Sequence, residues 1–148
     1  HALLGTLHGM RIDGSLVRAI KLGPRLSRHR SEALKTGPDN PRVQYLLGVC
    51  QFHTSKKRTA WLETLESLRR ASKLFEAEQQ LPAASPLEPR WGRASCHAFM
   101  GLTQERLERP EDAVAEYRKA IELHPGHHAA VEGLNRLKNA AGRQVSGR

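Results

Sequence analysis

The residues able to do chemistry are few and poorly grouped. The 148-residue chain has eight histidines, two cysteines and 15 acidic side chains. His124, His127 and His128 come nearest to a ligand cluster, but Pro125-Gly126 separates the first from the other two. A zinc site needs three or four donors converging at about 2 Å. No acid or cysteine falls in a ligand pattern with these histidines, so core or surface roles and no metal are expected. Cys50 and Cys96 form no C-x-x-C pair. Counted from Pro41 and from Ala94, they take the tenth and third places of two helix-like segments. That offset is about 10 Å along a helix axis, more than a disulfide spans, and two packed free thiols are expected. Glu111-Asp112, just after Pro110, suits the first turn of a helix better than acid–base work. There is no Gly-rich phosphate loop and no G-x-S-x-G elbow. The expectation is a chain that is no enzyme and holds no cofactor.

The elements that must carry these residues are marked off by turn signals. They fall at Gly23-Pro24, Gly37-Pro38-Asp39-Asn40-Pro41, Pro82 through Pro89, Arg109-Pro110 and Pro125-Gly126, because proline cannot continue a helix interior and glycine favours its end. Between them the spacing predicts helices at 2–10, 15–22 (with Ser15 as cap), 25–36, 41–53, 59–80, 91–108, 111–124 and 127–140. Segment 41–53 is apolar round much of its circumference, as for a helix packed on two sides. Segment 59–80 carries the stripe Leu62, Leu65, Leu68, Ala71, Leu74 and Phe75. The tail 142–148 is expected to fray. Aromatic content is only 5%, so the core must rest on Leu and Ala, which pack as helices rather than strands. An all-α chain follows, organised as one domain over 1–141, since 148 residues suit one domain and not two.

Net charge is +9, with seven Lys/Arg against two acids in residues 1–36. Such a basic face attracts nucleic acid, anionic lipid or an acidic protein. No stretch reaches the roughly 20 apolar residues of a membrane span. The chain opens on His1, not Met, in helix-forming sequence; a trimmed start is expected, and the compartment and any preceding repeats are left open.

Residues 94–127 resemble one complete tetratricopeptide repeat (TPR). The segment is 34 residues long. Gly101 takes the small position where two helices approach, Ala113, Tyr117 and Ala120 the small–aromatic–small positions, and Pro125 ends the unit. His97 departs from the family, which often has Trp there. An earlier junction is similar: Ala33 and Pro38 end one unit, Pro41 opens the next, and Gly48 takes the place of Gly101. Arg30 stands where an aromatic is usual. Gly48 and Gly101 are 53 residues apart, so the middle repeat is stretched. The excess is expected in a basic loop around His53 to Ala60 and in the Pro82–Pro89 loop. With Trp91-Gly92 opening the next repeat, the chain looks most like bacterial TPR proteins of this stretched type.

The resemblance implies a short solenoid of antiparallel helix pairs, capped by the last helix, that binds a partner protein's peptide or helix on the concave face of its first helices. Position by position, that face would be Arg42, Tyr45, Val49 and Phe52, then Ser95, Ala98, Leu102, Glu105 and Arg106. One helix face carries each set. Tyr45 with Phe52 would form an apolar pocket unless they are core, and Arg42 or Arg106 would hold a carboxylate in a forked pair. The alternative is a nucleic-acid-binding helical domain using Arg18, Lys21, Arg25, Arg28, Arg30 and Lys35. These basic residues lack interleaved aromatics for base stacking.

Overall fold

The computed structural model describes the backbone of residues 1–12, 16–82 and 91–146, and the side chains there except those of residues 5, 8, 9, 11, 12, 16–21 and 144–146. All described regular structure is helical: α1 Ala2–Ile12, α2 Leu16–Thr36, α3 Pro41–Thr54, α4 Arg58–Gln79, α5 Arg93–Arg106, α6 Pro110–Leu123 and α7 His128–Ser146. The chain divides into two compact units, His1–Gly92 and Arg93–Arg148.

In the first unit α3 is central and touches α1, α2 and α4. Asn40 caps it: Oδ1 accepts from the amides of Arg42 (2.9 Å) and Val43 (3.3 Å), with Pro41 in the first turn. Gln44 donates back to the Pro38 carbonyl at 2.6 Å and fixes the turn. As expected for a helix packed on two sides, α3 is buried round most of its circumference. Thr6 of α1 donates to the Leu46 carbonyl at 2.8 Å, which ties α1 to α3. The outward face of α1 leaves Leu3, Leu4, Leu7 and Met10 exposed.

Three expectations need correction here. Gly23-Pro24 does not separate two helices, because α2 runs through Pro24. Proline forfeits one intrahelical hydrogen bond, but its ring faces solvent, and Leu22, Leu26, His29 and Ala33 make one continuous covered stripe across it. The proposed Ser15 cap lies outside the described residues. The middle segment is not stretched at His53–Ala60: only Ser55, Lys56 and Lys57 join α3 to α4, as only three residues join α5 to α6. No proline or glycine follows in 58–80, so the extra length becomes helix, and α4 has 22 residues against 14 in α6. The rest falls between Gln79 and Arg93, where residues 83–90 lie outside the described part. Leu62, assigned to the buried stripe, is 42% exposed; Thr64 and Ser72 join Leu65, Leu68, Ala71 and Phe75 on the covered face instead.

In the second unit α5, α6 and α7 all touch one another. Tyr117 is fully buried with Ala98, Ala113, Ala120 and Ala130. A Cβ on Gly101 would stand 2.5 Å from the Tyr117 ring, and one on Gly133 of α7 equally close. The ring is therefore clasped between two glycines that only an absent side chain makes possible. α5 ends in a Schellman turn: Glu108 has φ 60°, its amide donates to the Glu105 carbonyl, and the Arg109 amide to that of Gln104. α7 continues past the expected end at 140 through the good helix formers Ala140 and Ala141 to Ser146, so the tail expected to fray from 142 is helical that far.

Candidate functional site

The first expected contact set, Arg42, Tyr45, Val49 and Phe52, runs along α3, with Arg42 facing the C-terminal end of α4 and Phe52 its N-terminal end. The extra turns of α4 bring Phe75 and Glu78 to the start of α3. Arg42 makes the forked pair expected of it, but with the chain's own Glu78, at 2.7 and 3.0 Å. Its guanidinium lies 5.6 Å from the Phe75 ring centre and 5.9 Å from that of Trp91, a cation–π arrangement on two rings. Tyr45 meets Trp91 edge-on at 6.4 Å. Gly92, at φ 106°, folds the chain onto Phe75, where a Cβ would be 2.9 Å from the ring. Arg42, Tyr45 and Val49 are buried. Phe52 is half-buried and tilts against Trp61 at 5.3 Å, so it does not join Tyr45 in an open pocket. Glu78, 36 residues along the chain, is the acid that pairs with Arg42.

The second set lies on the side of α5 that α7 covers. Ser95 Oγ and His127 Nε2 are 3.1 Å apart. Ala98 is core, and Leu102 packs against the same cluster. Glu105 accepts from the Tyr117 hydroxyl and from Arg136 of α7, at 2.7 Å from Nη2 and 3.1 Å from Nε. Burial alone would raise the Glu105 carboxyl, but these hydrogen bonds and the charge of Arg136 outweigh it and hold it below the usual carboxylate range. Burial and the same carboxylate push the Tyr117 phenol far up. Arg106 is exposed. Neither Gly133 nor Arg136 carried a signal in the sequence, because their partners are remote along the chain.

The other reactive groups are also committed. His97 is buried and donates from Nδ1 to Glu116 Oε2 at 2.7 Å, with Lys119 on the other carboxylate oxygen at 3.2 Å. Burial would raise Glu116, yet His97 and Lys119 together leave it lowered. Cys50 and Cys96 are buried and form no disulfide. Burial first, then the charge of Glu116, pushes the Cys96 thiol up to about 12, which keeps it protonated and unreactive. His124 and His127 stack edge to face at 6.1 Å, while His128 turns to Glu132. Among the described residues no three His, Cys, Asp or Glu side chains converge on one point.

A groove of about 570 Å3 lies in the second unit, between the start of α6 and the later part of α7. Pro110, Val114, Leu137, Ala140 and Ala141 form its apolar floor, with Glu111 and Arg118 at its rim. Both charges are exposed. Among the described residues neither has an ion-pair partner. Compared with family models, curated proteins and solved structures, the chain matches none of them.

Proposed function

We propose that this chain is a TPR-type helical scaffold whose task is to bind a partner protein rather than to catalyse a reaction. The observation that carries this reading is the groove between α6 and α7: an apolar floor bounded by two helices and rimmed by two charges with no ion-pair partner among the described residues, the composition of a protein-binding patch. The clasp of Tyr117 between Gly101 and Gly133 supports the repeat resemblance, since those small positions exist to let neighbouring helices approach. The binding surface moves accordingly from the helix faces first expected, most of whose residues pack inside their own unit, to this groove.

A second reading as a nucleic-acid-binding domain has one observation in its favour. Arg25 and Arg28 project from one face of α2 and are exposed. On the same face Lys35 is bound to Glu32 at 3.3 Å, and the side chains of Arg18 and Lys21 lie outside the described residues.

The test is capture from a lysate of the parent cell, with and without nuclease, at rising salt. A protein retained after nuclease and at moderate salt supports the scaffold. Nucleic acid as the sole retained species, lost steeply with salt as counterion release demands, replaces it with the second reading.

A further inference from the structure

We infer that the α6–α7 groove takes a single amphipathic α-helix of the partner, presenting a small apolar stripe with a basic and an acidic side chain seven residues apart. This rests on the scaffold reading above and names the occupant of its groove.

Three features select a helix. The α6 side of the groove is the ridge Glu111, Val114, Arg118, spaced i, i+3, i+7, the repeat at which a packed helix presents its own side chains. The α7 side offers Leu137, Ala140 and Ala141. Its two alanines let a backbone approach closely, as Ala113 and Ala120 do for α5 on the neighbouring face of α6. Finally, the walls are two helices whose backbone groups are paired within themselves, save those of the uncapped first turn of α6. An extended peptide would bring unpaired N–H and C=O groups onto an apolar floor with only two side-chain heads to meet them. A helix satisfies its own backbone and needs no such partners.

The rim sets the charges. Glu111 and Arg118 stand two turns apart, about 10.5 Å along the axis. A basic side chain opposite Glu111 and an acidic one opposite Arg118 complete both pairs, in either direction of approach if their order is reversed. The net charge of +9 adds a long-range preference for an acidic partner protein.

The probes are fluorescein-labelled alanine–leucine helical peptides of about 18 residues, long enough to form helix in water. One carries Lys and Glu seven residues apart beside its leucine stripe; two controls carry Lys at both positions or Glu at both. Fluorescence anisotropy with the whole chain is expected to rank the Lys/Glu peptide about tenfold tighter than either control. Arg118→Glu should move the preference to the Lys/Lys peptide. Ala140→Glu, an exposed position where folding is checked by circular dichroism, should abolish binding of all three. Tightest binding of the Glu/Glu peptide to the wild type would show mere attraction to a basic protein and overturn the proposal. So would self-association of the wild type that Ala140→Glu removes, which would place a second copy in the groove. If the lysate protein held by the wild type is held equally by Ala140→Glu, the groove assignment fails and the scaffold reading stands. If the wild type holds no protein, the scaffold reading itself fails.

Discussion

The helix pairs α3/α4 and α5/α6 use one device with different fittings. In each, a glycine in a 14-residue first helix lies under a large side chain of the second: Gly48 under Leu68, where a Cβ would come within 2.6 Å, and Gly101 under Tyr117 at 2.5 Å. In each, three residues join the helices. They differ in how the far side is closed. The longer α4 reaches round to close its own pair with Phe75 and Glu78 on Arg42. The shorter α6 leaves that work to α7, which supplies Gly133 and Arg136. A second helix eight residues longer thus does for α3 part of what α7 does for α5, and the groove described above lies beside the short one.

Removing the central ring should expose this difference most strongly. Tyr117→Ala is expected to cost about 3–5 kcal/mol by denaturant titration, since it empties the space between two glycines and strands Glu105. If it costs no more than an exposed substitution, the clasp is not what holds the second unit.

The two ion pairs should rank next. Glu78→Ala leaves the Arg42 guanidinium buried without its carboxylate, and a loss of about 2–4 kcal/mol is expected. Arg136→Ala removes a half-exposed partner of Glu105 and should cost about 0.5–1 kcal/mol. Equal losses would erase the contrast between a pair closed internally and one closed by α7.

Between those two losses falls the effect of an added methyl group. Gly101→Ala forces the boxed Tyr117 ring to move and is expected to cost about 1–3 kcal/mol. Gly48→Ala meets the end of a leucine that can change rotamer, and better helix propensity offsets part of the strain, so it should cost less. Thermal denaturation of both variants orders them.

Acid should act on the second unit through Glu105 and Glu116. Their folded-state values are lowered, so the stability they contribute is present above the unfolded carboxylate value of about 4.3 and is lost as pH falls through the lower folded value. Hydrogen exchange of α5–α7 amides should accelerate over that window, and Glu116→Gln should flatten the dependence. The smallest change expected is a gain: Glu108→Gly relieves a positive φ at the Schellman position and should stabilise by about 0.5–1 kcal/mol.

Local signals carried the legible part of this structure. Helical spacing gave the all-α class, and the 34-residue pattern placed Gly101, Ala113, Tyr117 and Ala120 together because each position depends on neighbours within two adjoining helices. Pro24 misled because tertiary cover along Leu22 and Ala33 overrides the local cost of a proline. The partners of Arg42 and Glu105 were hidden because Glu78 and Arg136 are 36 and 31 residues away, and an exposed-looking charge gives no hint of such a mate. The groove was hidden for the same reason, since Val114 and Ala140 meet only after α7 folds back.

The most direct measurement is guanidinium denaturation of the double variant Arg42→Ala/Tyr45→Ala, beside partner capture by the same protein. With these side chains inside the first unit, the midpoint should fall by several kcal/mol of lost stability. An unchanged midpoint with partner capture abolished would instead return Arg42 and Tyr45 to an open binding face and contradict the assignment of binding to the α6–α7 groove.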